Sequence, residues 1–381
     1  MDFSLSEEQT AIFDMARSYA NEKIAPNALD WEQREHMPRD VLEELAELGM
    51  ASIYVGEEYG SDLSRLDATL IFEGLSYGCA STAAFLSIHN MCAWMIDTFG
   101  SDELRAAWLP DMVTAKKICS YCLTEPGSGS DAAALRTSAK KMNDGYVLNG
   151  TKAFISGGGF SDLYLSMVRT GEDGAKGISA VLIENGEEGL SFGAVENKMG
   201  WRNQPTSQVQ FDDCKVPLEN LMGQEGDGFK YAMAGLDGGR LNIAACALGA
   251  AQSAFDKTVA YMGDRKAFGK SLTGFQALQF KLAEMETELQ SARTFLRQAA
   301  WKLDNKTPDA TKFCAMAKLK VTDACFDVAN DALQLHGGYG YLTDYGIEKI
   351  VRDLRVHQIL EGTNQIMRMI ISRSVLAEHQ N

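Results

Sequence analysis

Glu361 lies between an apolar pair, Ile359 and Leu360, and a glycine in the stretch VHQILEGTNQIMRMI, residues 356 to 370. A lone carboxylate in that setting has two readings. It is a solvated loop acid, as most glutamates are, or it is a base whose pKa burial has raised. Thr363, just after it, is a good helix N-cap, and Ile366, Met369 and Ile370 would share one face of the helix that follows.

Five other stretches carry residue types that could hold a ligand. In YCLTEPGSGSDAAALRT (121–137), Gly127 and Gly129 would let backbone N–H groups approach a ligand closely, and Thr124, Ser128 and Ser130 add hydroxyl donors. The stretch is neither a dinucleotide fingerprint nor a Walker A loop, and an ordinary turn remains the plainer local reading. NGTKAFISGGGFSD (149–162) sets an apolar FIS between turn signals, as a core strand would. In LDGGRLNIAACALG (236–249), Asp237 and Arg240 have helical spacing. They form either a surface pair worth about 0.2–0.5 kcal/mol or an anion or amide contact at a helix start. DRKAFGKSLTGFQ (264–276) places Arg265 and Lys266 before a turn at Gly269, which a solvated loop also explains. QLHGGYGYL (334–342) ends a helix on glycines that permit close backbone approach. Cys119 and Cys122 form a CxxC, with no second pair and no nearby His to complete a metal site; a redox role is its alternative.

The elements that must position these residues fall into three textures. Residues 1–118 read as helices: Ser6 and Gln9 make a capping box, Pro26 ends the first pattern, and RDVLEELAELGM and LDATLIFEGLSYG repeat the helical period. Residues 119–225 read as strands and turns, with DLYLSMVRT, GISAVLIE and TSQVQFDD divided by glycine-rich turns. Residues 226–381 return to long helices. Leu278, Leu282, Met285, Leu289, Ala292 and Leu296 make one apolar stripe, and a second helix stops at Gly337 and Gly338.

The chain has 381 residues, 45% of them hydrophobic, enough for a large core in two or three domains. Its net charge of −16 repels phosphate backbones and anionic membranes, so nucleic acid is not an expected partner. No stretch reaches the roughly 18 uncharged apolar residues of a membrane span, and the first residues lack a signal-peptide pattern. The eight scattered cysteines fit a compartment that keeps thiols free. The expected location is the cytoplasm of a bacterium, or the mitochondrial matrix of a eukaryote after processing.

Taken together and in order, YCLTEPGSGSD, KAFISG, RKAFGK, QLHGGYGY and ILEGTNQ resemble the sequential markers of the acyl-CoA dehydrogenase family, from about residue 5 to residue 376. These flavoenzymes oxidise acyl-CoA thioesters to 2-enoyl-CoA. The resemblance implies an α+β fold: an N-terminal helical domain, a middle β-barrel-like domain and a C-terminal four-helix bundle. It implies FAD, with its ring system between the last two domains. Tyr121, Cys122, Leu123, Thr124, Gly129 and Ser130, with Phe154, Ile155 and Ser156, would line the flavin. Ser130 would also touch the CoA arm, and Asp237, Gly238, Gly239, Arg240, Gly362 and Arg373 would contact the acyl-CoA substrate. Arg265, Phe268, Gln276, Gln334, Leu335, Gly337 and Gly338 would bind FAD held mainly by a neighbouring subunit of a homotetramer, a dimer of dimers. Thr363, Asn364 and Gln365 would meet the FAD pyrophosphate at a helix start. Glu361 would then be the catalytic base, taking the α-proton while flavin N5 takes the β-hydride. The oxyanion donors would be the N–H of the base and a ribityl hydroxyl.

LSRLDATLIFEGL, SIHNMCAWMID, YCLTEPGSGSDAA, HGGYGYLTDY and VRDLRVHQILEGTNQIMRMIISRS are similar to the branch of the family that acts on isobutyryl-CoA in valine breakdown. The expected reaction is isobutyryl-CoA to methacrylyl-CoA, with electrons passed to electron-transfer flavoprotein. Short straight-chain or 2-methyl-branched acyl-CoA is the alternative. Leu360 stands where many members carry an aromatic residue, and Phe154 where many carry Trp; both bear on pocket shape. Two further functions stay open. One is an acyl-CoA oxidase, usually a much longer chain. The other is a non-catalytic flavin-binding scaffold or DNA-binding relative, opposed by the acidic charge and the intact Glu361.

Overall fold

The computed structural model describes residues 4–380. Six helices come first: α1 Glu7–Tyr19, α2 Ala28–Gln33, α3 Arg39–Glu47, α4 Arg65–Ser76, α5 Ala80–Phe99 and α6 Asp102–Val113. Ser6 accepts from the Gln9 N–H while the Gln9 side chain accepts from the Ser6 N–H, so the capping box forms as its spacing predicts. A π-turn over Ala20–Ile24 closes this first helical run just ahead of Pro26.

Eight strands follow: β1 Cys119–Cys122, β2 Ser138–Lys141, β3 Gly145–Ser156, β4 Leu163–Arg169, β5 Ile178–Glu184, β6 Leu190–Phe192, β7 Thr206–Pro217 and β8 Leu221–Met222. They form one sheet in the order β6-β7-β3-β2-β4-β5-β8, with β1 added parallel to β4. The three runs singled out in the sequence are β4, β5 and β7; β4 and β5 are buried on both faces, whereas β7 alternates in part. A register irregularity between Lys152 and Ile155 interrupts the β3–β7 ladder. Such bulges re-aim side chains, and this one turns Phe154 outward at φ +59°.

Long helices then return: α7 Gly228–Asp264, α8 Gln276–Asp304, α9 Ala310–His336, α10 Ile347–His357 and α11 Asn364–Glu378. The two helical regions share one core, in which Phe72 and Leu75 of α4 join Leu241 and Leu248 of α7 and Leu289 of α8. Two polar ties cross the same boundary. The Asp304 carboxylate accepts the N–H groups of Arg65 and Leu66 at 2.7 and 3.1 Å, capping α4. Glu73 and Arg293 form a buried ion pair at 2.8 Å.

Two expectations about helix faces are corrected. On α8 the stripe is buried from Met285 to Leu296, whereas Leu278 and Leu282 are only partly covered. On α11 the buried residues are Asn364 and Met367, while Met369 is exposed. Polar groups on α9 attract Asn364, and that rotates the helix away from the face that apolar periodicity alone selects.

Candidate active site

Glu361 sits in the turn joining α10 to α11 and adopts φ +55°, followed by Gly362 at +88°. A non-glycine residue in the left-handed region costs on the order of 1 kcal/mol and needs outside support. The support is visible on both sides. Arg240 Nε on α7 donates to the Glu361 carbonyl at 3.3 Å, and Lys318 Nζ on α9 donates to the Gly362 carbonyl at 2.8 Å. The Asn364 N–H closes the loop on the Gln358 carbonyl at 3.0 Å. Thr363 caps α11, its hydroxyl oxygen accepting from the Ile366 N–H at 3.2 Å.

The side chain points into the protein. Glu361 as a residue is half-buried, but its Oε2 is sealed from solvent and has no hydrogen-bond partner. Burial pushes its pKa up to about 7, although the positive charges of Arg240 and Lys318 pull the other way. Of the two local readings, the buried one describes the structure.

Gly239 on α7 makes room for that carboxylate. A Cβ on residue 239 would lie 2.7 Å from Glu361 Oε2 and 3.1 Å from Met91 Sδ on α5. Gly238 is pressed in the same way, since a Cβ there would collide with the Arg65 guanidinium. Arg240 Nη1 pairs with Asp237 Oδ1 at 2.7 Å, and Thr311 donates to Asp237 Oδ2 at 2.6 Å. Asp237 and Arg240 therefore do not mark a helix start. They lie well inside α7, and their pairing is buried rather than a surface contact.

The loop after β1 is locked to β3 by a buried ion pair that the sequence reading left without a role. Lys152 Nζ meets Glu125 Oε1 at 2.8 Å and the Leu123 carbonyl at 3.2 Å. The Glu125 carboxylate also accepts the N–H groups of Arg136 and Thr137 at 2.7 and 2.9 Å. Thr124 accepts the Ala153 N–H at 2.8 Å, so Tyr121–Thr124 and Phe154–Ser156 run side by side. Cys122 and Ile155 are buried between them, and Phe154 is 68% exposed. The Tyr121 hydroxyl is buried without a partner. Ser128 is spent internally, donating to the Asp131 carbonyl at 2.6 Å, which removes it from the candidate donors; Gly129 and Ser130 are exposed.

The remaining predicted residues lie outside the contacts described so far. Arg265 leads into a two-strand hairpin whose turn residues, Phe268 and Gly269, have φ +51° and +83°, and Phe268 is 96% exposed. The Arg265 guanidinium lies 5.3 Å from the ring of Tyr339, in the 3-10 turn that begins with Gly337 and Gly338 just after Gln334 and Leu335 in the last turn of α9. Gln276, Gln365 and Arg373 are exposed. All eight cysteines are free and buried.

Lys318, Thr322 and Asp323 on α9 were missed. Their signal is faint but present: Lys318 interrupts a buried stripe of Cys314, Ala317, Val321 and Cys325.

The chain matches the N-terminal, middle and C-terminal domains of acyl-CoA dehydrogenase over residues 6–116, 120–214 and 226–376. It is 52% identical over 375 residues to mitochondrial isobutyryl-CoA dehydrogenase of Bos taurus, covering 98% of this chain and 90% of that one. It is 54% identical over 373 residues to the same-named protein of Dictyostelium discoideum, covering 97% and 90%. Among solved structures it resembles butyryl-CoA dehydrogenase from Megasphaera elsdenii at a TM-score of 0.95 and 37% identity, over 99% of this chain and 100% of that one. With three matched domains in the order the fold displays, the chain belongs to the acyl-CoA dehydrogenase family and is an enzyme of that class.

Proposed function

We propose that the chain oxidises short α-branched acyl-CoA thioesters, isobutyryl-CoA first, to the 2-enoyl thioester, with Glu361 taking the α-proton. The observation that carries this reading is the sealed, unpaired Oε2 of Glu361 at the end of a braced loop. A thioester α-proton is too weakly acidic for a solvated carboxylate of pKa about 4.3. Burial supplies the missing basicity. No backbone acceptor takes the Glu361 N–H among the described residues, which leaves it free to donate to the thioester oxygen as enolate charge develops.

A flavin suits the adjoining surface. No protein atom lies within 4 Å of where a Cβ would stand on Gly127, Gly129, Gly337 or Gly338. Packing does not demand glycine at 127, 129 or 338, whereas a closely approaching ligand would; Gly337 is required by its own φ of +59° as well. Phe154 and Phe268 turn apolar rings outward. Tyr121 to Thr124, Gly129, Ser130 and Phe154 to Ser156 would hold the ring system, with Thr363 to Gln365 at the pyrophosphate. Bound FAD would supply the two-electron acceptor for the β-hydrogen. Asp237 to Arg240, Gly362 and Arg373 would hold the thioester and its CoA arm.

Arg265, Phe268, Gln276 and the turn at Gln334–Gly338 are read as reaching a neighbouring subunit's FAD in a homotetramer. Electron-transfer flavoprotein is the proposed acceptor, and the proposed domain limits are 1–118, 119–225 and 226–381. No helix among the described residues is long and apolar enough to cross a membrane. The branched-chain preference rests on Leu360, which packs against the helical core beside the base and lacks a rigid ring. The isobutyryl-CoA dehydrogenases named above support it.

The test is kcat/KM for isobutyryl-, 2-methylbutyryl-, butyryl- and octanoyl-CoA on the wild type and on Leu360→Tyr. One methyl in an apolar pocket is worth about 1–3 kcal/mol, or roughly 10- to 200-fold. Isobutyryl-CoA should lead by a margin in that range and should suffer most from Leu360→Tyr. A preference for octanoyl-CoA, or an equal loss for both C4 thioesters, would refute the pocket argument. Slow re-oxidation of the bleached flavin in air marks a dehydrogenase, and fast re-oxidation with peroxide an oxidase.

A further inference from the structure

We propose that Lys318 is a positioning residue for the reaction: its ammonium clamps the loop that carries Glu361 and sets the charge beside it. The inference rests on the reading of Glu361 as the base. Lys318 is fully buried on α9. Its Nζ donates to the Gly362 carbonyl and to Asn364 Oδ1, both at 2.8 Å. These two acceptors bracket Thr363, so one ammonium pins both the end of the left-handed turn and the first residue of α11. The grip continues along the same face of α9. Asn364 Nδ2 donates to Thr322 Oγ1 at 3.0 Å and to Asp323 Oδ1 at 2.7 Å. Gln358 Nε2 donates to the same Asp323 oxygen at 2.8 Å. Residues 318, 322 and 323 thus hold the base loop from both ends, at residues 358 and 364.

A structural lysine has a cheaper design available. Burying an ammonium with no salt-bridging carboxylate costs several kcal/mol, and here its acceptors are one carbonyl and one amide oxygen. Accordingly its pKa falls to about 7, with burial as the leading cause and Glu361 opposing it. Such a charge does something a neutral donor could not: it stabilises the carboxylate form of Glu361 through space. The charged and titratable groups around the pair come from every packed element. Glu361 is faced by Arg240 of α7 and Lys318 of α9, and it acts in turn on Tyr121 of β1 and Cys92 of α5. Lys318 is faced by Glu361, Arg240 and Asp323, and it bears on His357 of α10. Arg240 acts more strongly on the Glu361 charge, but its guanidinium bonds go to Asp237 and the Glu361 carbonyl, so the contacts to Gly362 and Asn364 fall to Lys318.

Two variants test this by anaerobic flavin bleaching across pH. Lys318→Met keeps the length and removes the charge. It should retain FAD and raise the acid limb of the bleaching rate by about one pH unit or more, the size of an opposite-charge effect at close range. It should also slow bleaching at least about tenfold on the alkaline plateau, since small misplacement of a base is costly. Thr322→Val loosens Asn364 but keeps the charge. It should slow the plateau several-fold and leave the limb where it is. A residue that only holds the fold would change melting temperature without moving the limb. An unshifted limb in a folded, yellow Lys318→Met overturns the proposal. If that variant does not fold, wild-type bleaching by Thr322→Val overturns it instead. Glu361→Gln separates the two claims: if it is active the base reading fails, and if it is inactive beside a wild-type-like Lys318→Met only the present inference fails.

Discussion

Gly239 and Glu361 touch through an absent side chain: the missing Cβ of residue 239 leaves the space that Glu361 Oε2 fills, 2.7 Å from where that carbon would stand. The obstructing atom is the end of a flexible side chain, so Gly239→Ala should fold. The carboxylate must then swing away from its place. We expect a stable variant whose flavin bleaching by isobutyryl-CoA is slowed by about 10- to 100-fold, since a 1 Å misplacement can cost that much. Bleaching at the wild-type rate would mean that the carboxylate has room to spare.

The acid limb of kcat/KM should fall near pH 7, not near 4. Glu361 acts only as the carboxylate, and burial raises its pKa to about 7. Activity should drop tenfold per pH unit below that point. The stability sign runs opposite to the activity. A folded pKa above the unfolded value of about 4.3 gives a contribution that is complete below about pH 4 and lost as pH rises through 7. Steady-state rates between pH 5 and 9, with thermal melts on the same samples, check both signs.

Lys152→Met should loosen the loop after β1. It leaves the Glu125 carboxylate buried without its cation, an error worth about 3–5 kcal/mol. The Tyr121–Ser130 segment hangs on that carboxylate through the Arg136 and Thr137 amides. Weaker FAD retention on gel filtration and a lower melting temperature are expected. A Glu125→Gln, Lys152→Met double variant should recover part of the loss, and no recovery would place the cause elsewhere.

Retention of FAD should depend on assembly. Phe268, Gln334, Gly337 and Gly338 are exposed, and no side chain of the chain packs against either glycine. Dilution that drives the protein to monomers should release the yellow colour, as followed by sizing with flavin absorbance. A stable yellow monomer would refute the cross-subunit contacts.

The order of helices, sheet and helices was legible because each region keeps one hydrophobic period, 3.6 or 2, over many residues. The Ser6 capping box was legible because it is local, with both partners three residues apart. Glu361 was not decided by its neighbours. Its burial comes from α5 and α7, more than a hundred residues earlier in the chain, and that distance carries no local signal. The face of α11 was misread for a related reason, since periodicity counts apolar residues and the helix is oriented by Asn364. Lys318 and Lys152 were passed over because a lysine is ordinarily a surface residue. What marks Lys318 is its place on a buried stripe, and what marks Lys152 is its pairing with Glu125 across a loop; both require knowing what covers the element.

Glu361→Gln tests the central claim most directly. Gln is nearly isosteric and keeps the Gly239 contact and the loop bonds through Arg240 and Lys318, but it cannot take a proton. Mixed anaerobically with isobutyryl-CoA, the purified yellow variant should bleach at least about 100-fold more slowly than wild type. Bleaching at or near the wild-type rate would contradict the account and place the base elsewhere.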